Sequence, residues 1–564
     1  MKKLSVIHIL IGLAAAAVFF AAAFFLFCPA LNVRSPGIWL LAAVTAFVGI
    51  LVTRLCAGKK DFGRVTITKK VGSKKPPKKI TKFRFAWLPY ILPLGIVVFT
   101  GLMLLVGCEE LNATRYAAIL QVKESDFASD LAETVGTDSI ALMDTASATR
   151  LGDREIGALS DLVSQFDVSS DYAQIDYKGR PVKVSALQYA GFFKWLSNKE
   201  NGVPGYVTVD PVSMSASFCK TEGMKYVPSA CFFQDAYRCL RMRFPTLMFE
   251  NLHFEIDENG KPYYLASVVK KTVGLFGGKT VDGCVALDPG TGEAVYYAAD
   301  AVPLWMDVVY SGDLICRQYN WYGMLRNGYL NSMFAKKGCQ RVTTYAPEGE
   351  DDDHYKADYG YVAKEGDIWI YTGVTSVNGD SSNIGFLLAN ERTGEARYYA
   401  ISGADEHSAM TAAEGEVQEK GYRASFPSLI NVEGEPTYIM VLKDSGGLVK
   451  LYAAVNVAQY NLVATAATQK ACIEKYKTLL DLGDPGPEAQ EETAVITVSD
   501  VKYIDVDGNT YVYLLTADGS LYKAKAAENE ALLFVAPGDT LRLTHAGTAI
   551  VSFETVENVV NGSE

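Results

Sequence analysis

The feature that most constrains this chain is the stretch from Phe85 to Gly107, FAWLPYILPLGIVVFTGLMLLVG, 23 residues without a charged side chain. At ~1.5 Å per residue, such a run is long enough as a helix to cross the hydrocarbon core of a bilayer. Two more apolar runs precede it, Ile7 to Phe27 and Ile38 to Val52, the second carrying Trp39 at its interfacial end. A cleaved signal peptide is the alternative for the first, but its apolar core exceeds the usual length, so a retained helix is expected. Three transmembrane helices, at about 7–27, 38–52 and 85–107, are therefore predicted.

Charge sets the expected orientation. Between Thr53 and Arg84 the chain carries twelve Lys and Arg against the single acid Asp61, which is the signature of a cytoplasmic loop. Residues 1–107 sum to +14, so residues 108–564 must carry -25 of the overall -11. The amino terminus is then expected in the cytoplasm of a plasma-membrane protein and residues 108–564 outside it. An acidic exterior of this kind is a poor surface for a phosphate backbone, so nucleic acid is not an expected partner.

Beyond the membrane anchor a pattern recurs. GCVALDPGTGEAVYY runs through Asp288 and GFLLANERTGEARYY through Asn390, with the two TGEAxYY stretches starting at Thr291 and Thr393, 102 residues apart. A strand and a Gly-rich turn lead into each, YYLASVV from Tyr263 and IWIYTGVT from Ile368. The same shape without TGE is read at 172–215 and 426–463, and Phe244-Pro245-Thr246-Leu247 returns as Phe426-Pro427-Ser428-Leu429. Self-similarity at a fixed spacing is the mark of duplicated modules.

The expected fold is α+β: three transmembrane helices, then repeated units of a helix with a small antiparallel sheet, then an all-β carboxy-terminal domain. The expected boundaries are a membrane-proximal segment at 108–152, units at 153–222, 230–300, 318–402 and 408–470, a linker at 481–494 and a β-domain at 495–556. A helix from Gln234 to Arg243, the FEIDENG strand and turn, the Lys261 to Tyr264 strand and the strand through Asp288 and Thr291-Gly292-Glu293 together resemble the PepSY domain. The resemblance implies a helix on a small antiparallel sheet and a module of secreted and membrane proteins, some of which restrain peptidases. It brings no catalytic residues, and Asn390 and VNVAQY depart from its acidic turn.

Chemistry-bearing residues are sparse. His8, His253, His354, His407 and His545 are scattered outside any recognised ligand spacing, and no CxxC pair occurs among ten cysteines. Asp444-Ser445-Gly446-Gly447 has the letters of a serine-protease nucleophile loop but lies where a hairpin needs a turn. The acidic run Glu348, Glu350 to Asp353 with Asp358 offers oxygen ligands for calcium, without the spacing of an EF-hand. No catalytic, cofactor or metal residues are expected. Leu105-Val106-Gly107-Cys108 resembles a lipobox, displaced from its usual amino-terminal position, which makes Cys108 a candidate for lipidation.

The expected function is that of a membrane-anchored extracytoplasmic binding or regulatory protein without catalytic activity of its own, acting on an envelope protein, peptide or wall polymer. An envelope hydrolase or peptidase with a dispersed site, and a structural subunit of a membrane complex, are the alternatives.

Overall fold

The computed structural model describes residues 6–57, 87–131, 140–345, 356–357, 359–377, 382–482, 492–506, 509–516, 518–527, 529–546 and 548–555. The chain divides into two compact units, 1–470 and 471–564.

Among the described residues three helices are long and apolar enough to cross a membrane: α1 (Val6–Phe27), α2 (Pro36–Ala57) and the continuous run Leu88–Val106, whose α-helical part is α3 (Ile91–Val106). The second is longer than its apolar core suggests, because Pro36 and Gly37 start the helix and Thr53, whose hydroxyl donates to the Gly49 carbonyl at 2.8 Å, extends it. The helices pack as neighbours through small residues, with Gly12 against Gly49 and Thr53. A short helix, α4 (Glu109–Ala117), follows at once, and then a three-residue strand, β1 (Val122–Glu124). Asp126 accepts from Ser129 N–H and caps a single helical turn, Phe127–Asp130, and residues 132–139 lie outside the described residues.

Among the described residues four mainly antiparallel sheets succeed one another, each preceded by a helix. Helix Thr145–Gly157 leads to sheet A, with strands Phe166–Val168 and Ala173–Asp176, Pro181–Tyr189, Val203–Asp210 and Ser215–Met224. Helix Ala236–Arg243 leads to sheet B, a meander of Met248–Ile256, Pro262–Val273, Gly277–Leu287 and Ala294–Ala298. Helix Gly312–Leu325 leads to sheet C, built on Gly360–Lys364, Asp367–Ser376, Ser382–Asn390 and Ala396–Tyr399. Helix Glu406–Gly415 leads to sheet D, with Ser428–Val432, Glu435–Lys443, Val449–Asn456 and Val463–Ala466.

Long central strands rich in Val, Ile, Leu and aromatics are buried on both faces, which fits their near-continuous apolar runs. Sheets A and B share one core through Tyr206, Val207, Phe254, Tyr264, Val285 and Leu287. Sheets C and D share another through Trp369, Tyr371, Phe386, Leu388, Tyr438 and Met440.

The ends of the apolar helices lie against sheet B and its helix. Arg241 donates to the Cys28 carbonyl at 2.9 Å, Leu31 N–H to the Pro245 carbonyl at 2.7 Å and Arg34 to the Lys271 carbonyl at 2.7 Å. At the end of α3, Gly107 touches the backbones of Gly274 and Gly277, where a side chain would collide. The loop after α1 and the residues after α3 therefore lie on the same side as the sheets.

The helix Gln469–Leu482, all but its first two residues in the second unit, reaches into the stretch expected as linker at 481–494; residues 483–491 lie outside the described residues, and 492–494 already belong to a strand. The all-β region is a closed five-stranded barrel of Glu492–Val506, Asn509–Thr516, Leu521–Lys525, Ala549–Thr555 and Thr540–Ala546, filled by Val498, Val512, Leu514, Leu541 and Leu543.

Candidate functional site

Sequence reasoning missed a buried junction of ionisable groups in the first unit. Glu255, on the HFEI strand of sheet B, is fully buried and accepts from Asp307 N–H at 3.0 Å, Val308 N–H at 2.9 Å and His253 Nε2 at 2.9 Å. The other His253 nitrogen, Nδ1, lies 2.8 Å from the Asn251 carbonyl, which can only accept. Burial opposes a charge on His253, but the Glu255 carboxylate outweighs it and the pKa is raised. Asp307 receives Asp176 N–H at 2.8 Å, and burial with the nearby Glu255 carboxylate raises its own pKa well above the usual range.

Glu391, buried on the far side, is raised likewise by burial and then by Glu255. Lys183, buried in sheet A with its ammonium 5.2 Å from the Tyr361 ring, is brought down to about 8 by burial, against the pull of Asp144 and Glu391. The signal available in the sequence was an acid or a lysine standing inside an otherwise apolar strand, as in HFEI and PVKVSAL.

A cavity of about 280 Å³ lies beside His253, lined also by Ser169, Asp171, Gln188, Ser229 and Tyr264. Two of its polar groups are engaged in the fold: Ser169 Oγ accepts from Asp171 N–H and Ser229 Oγ from Tyr189 N–H. With both nitrogens bonded, His253 offers no free base to this cavity. The junction ties sheet A, sheet B and the segment leading to sheet C together.

The second candidate is the paired TGEAxYY turn, where the same hydrogen bonds recur 102 residues apart. Asp288 N–H donates to the Glu293 carbonyl at 2.8 Å and Asn390 N–H to that of Glu395 at 2.9 Å. Asp288 Oδ1 accepts from Gly290 and Thr291 N–H at 2.8 and 3.1 Å, and Asn390 Oδ1 from Arg392 and Thr393 N–H at 2.8 and 2.9 Å. Both are Asx turns, and both close on a glycine in the left-handed region, Gly292 at φ +74° and Gly394 at φ +73°. A tyrosine hydroxyl then reaches back to the neighbouring strand, Tyr296 to the Asp282 carbonyl at 3.1 Å and Tyr398 to that of Ile384 at 3.0 Å.

The strands leaving these turns differ in what lies beside them. Ala396–Tyr399 is paired on its outer edge by β1, in parallel, with Val122 opposite Ala396 and Glu124 opposite Tyr398. Ser125 N–H donates to the Tyr398 carbonyl at 3.0 Å, and Lys123 pairs with Glu395 at 3.1 Å. Ala294–Ala298 is the end strand of sheet B, and among the described residues no strand pairs with its outer edge. The bond between Asp288 and Glu293 fixes the alternation: Glu293, Val295 and Tyr297 face the neighbouring strand, so Ala294 and Tyr296 direct N–H and C=O outward. Val295 is 51% exposed and Glu293 is exposed.

The residues singled out from sequence are dispersed. His407 stands in the first turn of its helix, its ring 6.5 Å from that of Phe426, and His545 lies 4.8 Å from Tyr522 in the barrel. His8 is in α1, and His354 lies outside the described residues, as do Glu348, Glu350 to Asp353 and Asp358. Among the described residues no group of three His, Cys, Asp or Glu is placed to hold a metal ion. Asp444 to Gly447 forms a hairpin turn, with Gly447 N–H on the Asp444 carbonyl at 2.8 Å. Cys231 and Cys239 fall on separate elements, because Asp235 starts the helix that holds the second by accepting from Arg238 N–H. All ten cysteines are unpaired. Cys108 is half-buried at the start of α4. Trp195 and Trp369 are buried in cores, and Trp305 and Trp321 are half-buried.

No family model matches the chain, and no curated protein does. Among solved structures it is similar to an ancestral GH74 enzyme at 10% identity, with a TM-score of 0.14, over 64% of this chain and 42% of that one. The chain thus spans less than half the length of that structure, and a likeness of this degree carries no argument about fold or activity.

Proposed function

We propose that this is a plasma-membrane protein whose amino terminus is cytoplasmic and whose residues 108–564 form an extracytoplasmic binding or regulatory module without catalytic activity of its own. In this reading, sheets A to D are PepSY-like repeats, a view supported by the recurring helix-then-meander order and by the matched hydrogen bonds of the two TGEAxYY turns. The ligand is an extended segment of an envelope protein or peptide, added as a parallel strand to Ala294–Ala298.

One observation carries the proposal: the chain fills the matching edge of sheet C with its own β1, and among the described residues no strand fills that of sheet B. Strand addition gives affinity through main-chain bonds and selectivity through alternate side chains. In β1 the selecting residues are Val122, set in an apolar site with Tyr398, and Lys123 on Glu395. Glu293 offers the equivalent carboxylate on sheet B, so the favoured segment carries a branched apolar residue followed by a cation.

The test uses full-length protein in nanodiscs and a fluorescent peptide of residues 119–125 as probe. Binding is expected to be lost in Ala294→Pro, which removes an outward N–H at a place where an edge strand tolerates proline. Peptide binding that Ala294→Pro leaves unchanged, or no binding by the folded protein, overturns the reading.

A further inference from the structure

Sheet A carries a short helix, Phe192–Asn198, and the Phe232–Gln234 turn stands beside it. Both present aromatic side chains to solvent: Phe193 is 78% exposed and Phe233 68%, with Phe192 and Phe232 about half exposed. The group is held firmly from behind. Trp195 is buried, donates from Nε1 to Gln234 Oε1 at 3.0 Å, and has its ring 5.5 Å from Phe192 and 5.8 Å from Phe232. Four phenylalanines on a rigid base that keep about half or more of their surface exposed are not a core, and an exposed aromatic patch of this kind marks an interaction surface.

Their position identifies the partner. Phe233 lies edge-on to Phe25 at 5.1 Å, and Phe25 is two residues before the end of α1. At ~1.5 Å per residue, Phe25 is within about 3 Å of the end of a helix able to cross the membrane. Arg238, 4.6 Å from the Phe25 ring, donates to the Phe25 carbonyl at 3.1 Å and so sits at the carbonyl end of α1, where a cation is favoured. Lys194 and Lys199 flank the aromatic residues. An aromatic group joined through Phe233 to the end of a spanning helix, with Arg238 at that same end, is the arrangement that settles at the boundary between hydrocarbon and lipid headgroups.

We propose that Phe192, Phe193, Phe232 and Phe233 enter the membrane leaflet on the side of the sheets, so that the sheets rest on the lipid surface as well as hanging from α1 to α3. This rests on the reading of α1 to α3 as membrane-spanning. The consequence is a fixed height and tilt for sheets A and B, because the wedge adds a second attachment away from the helices.

The test places p-benzoyl-phenylalanine singly at 98, 193, 233 and 295 in the full chain, reconstituted in phosphatidylglycerol and phosphatidylcholine nanodiscs, and measures lipid adducts after illumination. Positions 193 and 233 replace one phenylalanine-type ring with another, so folding is preserved. Val98, exposed in α3, reports the spanning helices. Val295 pairs with Ala286, about 30 Å along the strand from the Gly277 that touches Gly107, at ~3.3 Å per residue. Adducts at 98, 193 and 233 with their loss at 295 are expected. An adduct at 98 without one at 193 or 233 overturns the wedge and leaves the spanning helices standing. Crosslinking of 193 to a second protein chain in place of lipid also overturns it, and absence of an adduct at 98 overturns the spanning reading and the wedge together.

Discussion

The turn at Asp288 and the turn at Asn390 share seven residues of pattern and the same backbone hydrogen bonds, yet they are used differently. At the first, Asp288 pairs with Lys261 at 2.8 Å; at the second, Asn390 donates to Asp367 at 2.7 Å, and Arg392 completes the set. The next residue is Pro289 in one and the buried Glu391 in the other, although both carbonyls accept two N–H bonds, from Lys225 and Tyr226 and from Val309 and Tyr310. The edge strand that follows is open in the first and covered by β1 in the second. The backbone turn therefore depends on its Asx, Thr and Gly, whereas its attachment to the rest of the molecule depends on side chains that the motif leaves free.

The most damaging way to test that separation is to exchange the charges. Asn390→Asp sets two buried carboxylates face to face, and a loss of about 3 kcal/mol in stability is expected, as for a buried polar group deprived of its partner. Asp288→Asn, at the more exposed turn, is expected to cost about 1 kcal/mol. Denaturant titration of both, with Asn390→Asp/Asp367→Lys completing a double-mutant cycle, measures the coupling. Equal losses at the two turns would show that the backbone alone sets their energetics.

The glycines should behave alike where the charges do not. A Cβ at Gly292 or Gly394 would lie 2.7 to 2.8 Å from the ring of Tyr226 or Tyr310, and both backbones are left-handed. Gly292→Ala and Gly394→Ala are each expected to cost about 2 kcal/mol, from the conformational penalty plus the clash. A difference between them larger than about 1 kcal/mol would mean that the two backbones are not equivalent.

Acidity separates the turns again, because only the second feeds a side chain into the junction. Glu391 and Asp307 have raised pKa values in the folded chain, which therefore holds more protons than the unfolded one above about pH 4, and stability falls as pH rises. His253 acts in the same direction: its raised pKa gives stability that is fully present below about pH 6.5 and lost as pH climbs through the folded value. Lys183 opposes them at higher pH. Lowered to about 8, it makes the folded chain poorer in protons than the unfolded one up to about 10.5, so stability is regained there. Melting temperatures at pH 5.5 and 7.5 are expected to fall with pH in the parent and to fall less in Glu391→Gln, while Pro289→Gln leaves the slope unchanged.

Much of this was legible in the residues, for reasons visible in particular elements. The apolar helices follow from long uncharged runs, and the TGE turns from Asx and Gly chemistry that acts within a few residues. The terminal β-region follows from alternating strands broken by Asp518-Gly519 and by Asp507-Gly508, the latter outside the described residues. The junction was not legible, because Glu255, Asp307 and Glu391 are 52 and 84 residues apart and meet only after three sheets have packed. Nor was β1: Val122-Lys123-Glu124 is too short to stand out as a strand, and its partner lies more than 270 residues away. Local chemistry shows in a local pattern, while a site assembled by packing leaves only an anomaly, such as a charge in an apolar strand.

The finest distinction between the two edges lies in single amides. Tyr398 is flanked by Lys123 and Ser125 of β1, whereas Tyr296, at the same place in the other motif, turns its N–H to open space. Hydrogen exchange followed by mass spectrometry on short peptides should find Tyr398 protected and Tyr296 exchanging fast. Lys123→Ala then weakens the cover without removing it. The Lys123 side chain is 69% exposed, and Glu395 keeps its second partner, Arg397 Nε at 3.1 Å. A surface ion pair of this kind contributes about 0.5 kcal/mol, so protection at Tyr398 should drop by a factor of about two and no more. A much larger drop would assign the docking of β1 chiefly to the lysine and its carboxylate. In that case Glu293 becomes the main determinant of what the open edge accepts, and Glu293→Gln should abolish peptide binding as fully as Ala294→Pro does. A twofold change instead assigns the docking to Val122 and the main-chain bonds, and the edge of sheet B would then choose its segment by shape more than by charge.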